Sequence, residues 1–296
     1  MRLSGSRSMA FTVESMALKM LVFSGGKVES WHTVALKPNA VREGLIAKPD
    51  AVGEALAEAV EKNSLPRSGV VAAVPSTGAS AQILTLPPIK KGNLKDIVER
   101  EIARTMATAM DTDFIHWEPL AGDGLQKQNR VYVVSVPRNL VVSVAEACRL
   151  AKVGLKGVEL KAFSLFRAIN CRTGIIAHGE IDQIEIVVVD KSFPILFRSV
   201  PVKEAAPSAQ AAAKYLLREL PLTIDYYNRT YREAQLSPET PIYLSGELSA
   251  DPTLAQEAAK ATGGEVVGVP KAAAYPAQFP VGPYLSTVGL MLRKKW

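Results

Sequence analysis

The chain has 296 residues, 48% of them hydrophobic and 22% charged, which excludes a disordered segment and allows two domains or one large one. The net charge of +6, from 35 Lys+Arg against 29 Asp+Glu, is dispersed apart from "KKGNLK" (90–95) and "LRKKW" (292–296). No aromatic-rich strands suited to stacking on bases accompany it, so no nucleic-acid partner is expected. No window approaches the ~18 apolar residues that span a bilayer. The start "MRLSGSRSMAF" lacks the long apolar core of a secretion signal, so a cytoplasmic protein without direct membrane insertion is expected. Cys148 and Cys171 sit in apolar contexts without ligand spacing, and His32, His116 and His178 lie far apart, so neither a disulfide nor a metal is expected.

In chain order, "AFTVES" and "ALKMLVFSGG" read as two strands meeting at a turn, with "KVESWHTVAL" a third after Gly25-Gly26. Residues 50–62 have the helical period, with Asp50 as N-cap, and "SGVVAAVP" (68–75) is a buried strand closed by Pro75. A small β-α-β-β-α module follows. It comprises "AQILTLPP" (81–88), an amphipathic helix over 93–110 capped by Asn93, the strands "FIHWEPL" and "NRVYVVSVP", and a helix over 139–154 ended by Gly154. On its first helix, Ile97, Ile102 and Met106 read as core.

The chain returns with a strand and a helix in "GLKGVELKAFSLFRAINC". Three strands then run over 174–200, beginning with "IIAHGEIDQIEIVVVD" (175–190), in which two strands flank a turn that either cradles a phosphate or is a plain hairpin. A long helical region, the strand "PIYLSGEL", a helix stopped by glycine in "DPTLAQEAAKATGG", the strand "EVVGVP" and a closing helix "GPYLSTVGLMLRKKW" complete the pattern. Lys and Arg close that last helix, where the dipole favours them. The predicted class is α/β, with two halves that each open on a strand hairpin.

The stretches "GLIAKPDAVGEALAEAVEKNSLPRSGVVAAVPSTGASAQILTLPPIKKGNLKDIVEREIARTM", "AKVGLKGVELKAFSLFRAI", "LPLTIDYYNRTY…PIYLSGEL" and "YLSTVGLMLR", in this order and spacing, resemble the PilM family of type IV pilus assembly proteins. That family belongs with the cell-division protein FtsA in the actin-like ATPase superfamily. The resemblance covers nearly the whole chain from about residue 9. It implies an actin-like, ribonuclease H-like duplicated fold with an inserted 1C-type subdomain and a reduced 2B subdomain. The expected divisions are 1A over 9–77, 1C over 78–153, a return to 1A over 154–172, domain 2 over 173–281, and a C-terminal helix over 282–296 packing back on 1A. It also implies ATP in a central cleft and a station at the inner face of the cytoplasmic membrane. The implied partners are the N-terminal cytoplasmic tail of a PilN-like bitopic protein, lying in a groove between 1A and 1C, and other pilus assembly components.

The superfamily's phosphate loops depart from pattern here. The first should read Asp-x-Gly-(Ser/Thr)-x-x-x-(Lys), with the glycine admitting phosphate to the backbone and the Asp organising Mg²⁺ and water. In "TVESMALK", Thr12 stands at the Asp position and Glu14 at the Gly position, while Ser15 and Lys19 fit. A carboxylate where phosphate should sit repels it by several kcal/mol, to order of magnitude. In the second loop, "HGEIDQIE", His178 replaces the Asp and Glu180 the Gly; a register using Gly179 puts Ala177 at the Asp. A surface or cleft-lining histidine without a partner is the plain expectation for His178. The adenine-side turn "SGELSAD" keeps Gly246 but follows it with Glu247. The stretch before "IDYY" holds a single alanine-rich helical run where relatives build a wall of the adenine pocket.

These departures predict a scaffold without catalytic residues that neither holds nor hydrolyses nucleotide, with an ATP- and Mg²⁺-binding actin-like protein or ATPase as the alternative. An FtsA-like division protein would carry a C-terminal amphipathic membrane helix, which is not read here. For partner binding, "QILTLPPIKKGNL" offers Ile83, Leu84, Leu86 and Ile89 beside Lys90 and Lys91, where an extended peptide could add to a strand edge. The same apolar residues also fit the module's own core.

Overall fold

Strand β1 (Ser8–Val13) is buried along its whole length, as a central strand covered on both faces must be. It runs antiparallel to β2 (Ala17–Ser24), which pairs in turn with β3 (Lys27–Ala35). The other side of β1 pairs in parallel with β6 (Val70–Val74), which pairs in parallel with β10 (Leu155–Leu160). The sheet order is therefore β10-β6-β1-β2-β3. A second sheet repeats the plan with β11 (Gly174–Gly179), β12 (Gln183–Asp190), β13 (Phe193–Pro201), β14 (Ile242–Ser245) and β15 (Val266–Val267), in the order β13-β12-β11-β14-β15. Each sheet is an antiparallel three-strand meander continued by two parallel strands. The duplication expected from the sequence is thus present strand for strand. A small β4–β5 pair (Val41–Arg42, Leu45–Ile46) lies between β3 and the first helix.

This computed structural model describes residues 7–14, 16–86, 94–106, 111–120, 129–204 and 207–293. Its helices follow the same duplicated plan. Helix α1 (Pro49–Lys62) leads into β6, and α5 (Ala209–Thr230) leads into β14. The cap of α1 is not Asp50: Lys48 stands at the N-cap without a side-chain bond, Pro49 opens the helix, and Asp50 lies in the first turn. Proline's fixed φ serves that position, and the carboxylate favours the positive end of the dipole. Ser208 does cap α5, accepting from the Ala211 amide at 3.2 Å. Asp251 caps α6 (Pro252–Thr262), which Gly263 ends in the left-handed conformation.

Helices α4 (Lys161–Ile169) and α7 (Val281–Met291) cross closely. A Cβ on Gly289 would lie 1.8 Å from the Ser164 carbonyl oxygen, so only glycine permits the approach. Helix α7 packs its apolar surface on β1, β2 and β6, with Tyr284, Val288 and Leu290 in a core shared with Leu21, Val71 and Ala73. The second half has a separate core of Ile175, Ile184 and Ile186 under Leu216 and Leu220 of α5 and Leu254 of α6.

Gly78–Asn139 forms a compact unit of its own. In it, β7 (Ser80–Leu86), β9 (Asn129–Pro137) and β8 (Asp113–Leu120) make an antiparallel sheet in the order β7-β9-β8, with α2 (Leu94–Thr105) over one face. This unit is shorter than the expected 78–153, because α3 (Arg138–Leu150) belongs from Leu140 onward to the larger unit. There α3 meets α1 so closely that a Cβ on Gly53 would stand 2.9 Å from the Ala147 carbonyl oxygen. Nor does Gly154 supply the turn after α3: Lys152 takes the positive φ of 54°, and Gly154 lies against the Arg67 backbone. The expected cap Asn93 lies outside the described residues.

Candidate functional site

The two halves place equivalent turns at equivalent strand ends. The Glu14 amide donates to the Ala17 carbonyl at 2.9 Å after β1, and the Glu180 amide donates to the Gln183 carbonyl at 2.9 Å after β11. Ladder register extends the correspondence. Thr12 faces Lys19 across the first hairpin, and His178 faces Glu185 across the second. Thr12, Glu14 and Lys19 of one half thus correspond to His178, Glu180 and Glu185 of the other.

The side chains of these residues meet in one buried ionic network. Glu14 Oε2 lies 2.5 Å from the Nζ of Lys161, the first residue of α4, with both side chains at most 4% exposed. Lys19 Nζ donates to Glu180 Oε2 in a short buried contact and lies 3.0 Å from Glu247 Oε1. His178 Nδ1 is 3.0 Å from the Ser245 hydroxyl at the end of β14. Its Nε2 lies 2.9 Å from Glu180 Oε1, but without hydrogen-bond geometry, so both atoms remain unpartnered. Glu185 Oε2 accepts from the Ser76 amide at 3.4 Å.

Burial and charge set the protonation of this network. Burial alone would lower the ammonium pKa of Lys19, but Glu180 and Glu14 outweigh it and hold the group above its ordinary value. Lys161 behaves alike: burial lowers it, and the carboxylates Glu14, Glu180 and Glu185 raise it further. Burial, joined by the Lys161 charge, pushes His178 well below the usual imidazole range and keeps it neutral. Burial pushes the Glu185 carboxyl up, against the pull of Lys161 and Ser76. Removing one partner of such a buried ion pair strands the other, at a cost of about 3–5 kcal/mol.

The structure therefore gathers Thr12, Glu14, Lys19, His178, Gly179, Glu180, Gly246 and Glu247 around one site. Ser15 lies outside the described residues. Thr12 is fully buried with an unpartnered hydroxyl oxygen. Gly246 adopts a φ of +85°, and a Cβ there would stand 2.2 Å from the Gly179 carbonyl oxygen, which makes glycine obligatory where β11 and β14 end. His178 is not the expected cleft-lining residue without a partner: it is 1% exposed and bonded to Ser245.

Sequence reasoning missed Lys161, Glu185, Ser245 and Ser76. Lys161 carried one local signal. A lysine opening a helix faces the unfavourable end of its dipole, so it calls for a nearby carboxylate.

The partner-binding residues are placed differently. Leu84 and Leu86 point into the core of the inserted unit with Val98, Ile102, Val131 and Val133, so they are not pocket residues on a free edge. The alternation of β7 puts Ile83 on its other face, half-buried. Ile89, Lys90 and Lys91 lie outside the described residues. Ile97 and Met106 pack on the same core.

Beside Glu247, between α5 and α6, a cavity of ≈ 1060 Å³ is lined by Ala213, Lys214, Leu217, Leu254 and Glu257 among others. Among the described residues no helix is long and apolar enough to cross a membrane.

Neither a protein-family model nor a curated protein matches the chain. Solved structures do. A structure described as the PilM-PilN type IV pilus biogenesis complex contains a chain similar over 98% of both chains, at 19% identity and a TM-score of 0.76. A Bacteroides thetaiotaomicron protein described as having an actin-like ATPase fold and unknown function is similar over 98% of this chain and 97% of its own, at 12% identity and a TM-score of 0.52. The chain has the actin-like fold. The cytoplasmic domain of EpsL, an inner-membrane component of the Vibrio cholerae type II secretion system, shares it over 97% of this chain and 96% of its own, at 15% identity and a TM-score of 0.54.

Proposed function

We propose that this protein is a non-hydrolysing, nucleotide-free scaffold of a type IV pilus or related secretion assembly. The observation that carries the reading is two buried ion pairs, Glu14–Lys161 and Lys19–Glu180, at the turns that the resemblance reads as phosphate loops. A triphosphate entering there would face two buried carboxylates and would have to strip each from its lysine. In this reading the two lysines serve the protein's own glutamates instead of a ligand's phosphates, and no residue activates water on a γ-phosphate.

The partner we propose is the N-terminal cytoplasmic tail of a PilN-like bitopic protein. This is supported by the likeness to a structure described as a PilM-PilN complex. Strand β7 pairs only with β9 among the described residues, which leaves an edge for an extended peptide with Ile83 beside it. The protein then works at the inner face of the cytoplasmic membrane together with other assembly components.

A second reading, an ATP-binding actin-like protein with divergent loops, is favoured by the cavity between α5 and α6. Thermal melting with millimolar Mg-ATP separates the two. A ligand at a hundred times its Kd stabilises by about 2.7 kcal/mol, a shift of a few degrees in a chain of this size. The scaffold reading expects no shift and no heat of binding. Retention of the full chain on an immobilised tail peptide tests docking, and its absence counts against the scaffold.

A further inference from the structure

We propose that Glu14, His178 and Glu180 form a binding site for one divalent transition-metal ion, held by protein atoms alone and without nucleotide. Their ligating atoms, one per side chain, lie within 4.8 Å of one another. Glu14 Oε1, His178 Nε2 and Glu180 Oε1 are all buried, and none has a hydrogen-bond partner. A native interior seldom leaves one such atom unsatisfied, and here three belong to the residues of one cluster.

The surroundings orient each ligand. Lys161 holds Oε2 of Glu14, and Lys19 holds Oε2 of Glu180, so each carboxylate keeps its Oε1 for the interior. Ser245 holds Nδ1 of His178, which leaves Nε2 as the ligating nitrogen. Such outer partners are what fix the tautomer and direction of metal ligands. The 2.9 Å approach of Nε2 to Glu180 Oε1 lacks hydrogen-bond geometry. It does approach an octahedral coordination edge, because two ligands at right angles, each about 2.1 Å from one ion, stand about 3.0 Å apart.

The donor set selects the class of ion. One imidazole with two carboxylates suits Zn²⁺ or Mn²⁺ better than the all-oxygen cages of Ca²⁺. Lys19 and Lys161 offset the two ligand carboxylates, and Glu247, 3.0 Å from Lys19, remains to balance part of the ion's charge. The ligands come from both halves of the duplicated fold, so the ion staples the two hairpins together.

The test begins with the full chain purified without chelator, its metal content measured by mass spectrometry. Chelator-treated protein is then titrated calorimetrically with Zn²⁺ and with Mn²⁺. One equivalent is expected, with a melting point lowered by the chelator and restored by the ion. His178→Gln weakens that binding by at least about tenfold, whereas His116→Gln, altering the exposed His116–Glu118 pair, leaves it intact. Wild-type protein that binds neither ion would overturn the proposal, leaving the three atoms to a buried water. Binding lost in His116→Gln but kept in His178→Gln would overturn it equally. The wild-type measurements do not rely on any variant folding.

Discussion

The hairpins β1–β2 and β11–β12 share one backbone and carry different chemistry. Each follows its first strand with a glutamate whose amide bonds the carbonyl three residues on. Three residues correspond by register, yet the first half has Thr12 and Lys19 where the second has His178 and Glu185. The first half supplies a cation to the second, from Lys19 to Glu180. The first half's own glutamate is met by Lys161, from the helix that follows β10. Backbone duplication therefore did not carry charge duplication with it. The halves are complementary because they differ, and lysines pair with the glutamate of each turn.

The supporting strands show the same asymmetry. Ladder register sets Ser245 opposite His178 and Ala73 opposite Thr12, so Gly246 corresponds to Val74. Only the second half brings its turn so near that a side chain is excluded.

Substitutions that force the halves to match should break this arrangement in graded steps. Gly246→Ala has the largest expected effect, about 4 kcal/mol or more of lost stability, because it combines a positive φ with a Cβ 2.2 Å from backbone oxygen. Urea unfolding reads it, and a variant within 1 kcal/mol of wild type, to order of magnitude, would mean the turn can relax. Next comes Lys161→Met, which strands the Glu14 carboxylate and should cost about 3 kcal/mol or more. Adding Glu14→Leu should recover much of that loss, and a double variant as unstable as the single would place the cost elsewhere.

Glu180→Gln should cost less, about 2 kcal/mol, because Lys19 keeps Glu247 at 3.0 Å. Equal costs for Lys161→Met and Glu180→Gln would contradict the asymmetry. Glu185→Gln comes last, at under about 1 kcal/mol near neutral pH. Burial raises the folded pKa of Glu185 above the ordinary carboxylate value, so its contribution is full below the unfolded pKa and is lost as pH rises. The glutamine variant has no such loss and should gain on wild type as pH rises from about 4.5. A stability difference that does not change with pH would leave Glu185 an ordinary ionised carboxylate.

Much of this was legible in the chain. The strands of both meanders follow from apolar runs bounded by glycine or polar turns, and Ser208, Asp251 and Gly263 mark their helix ends by residue type. Glu14, Glu180 and Glu247 were visible in the chain as departures from the expected motifs, and all three lie at the site. Less legible were places where a side chain's role depends on what packs against it. Leu84 and Leu86 alternate like edge residues but fill the core of the inserted unit. Asp50 resembles a cap but yields that place because Pro49 opens the helix.

The sequence by itself determined the α/β order and the two hairpin-led halves, because periodicity and turn residues are local. Only the tertiary structure decided that the replacing glutamates are paired, that Lys161 and Lys19 are their partners, and that Glu14, His178 and Glu180 converge. Glu14 and Lys161 stand 147 residues apart, and Lys19 and Glu180 161. A charge's partner at that separation is set by which strand ends the duplicated sheets bring together, and no local pattern in the chain encodes that distance.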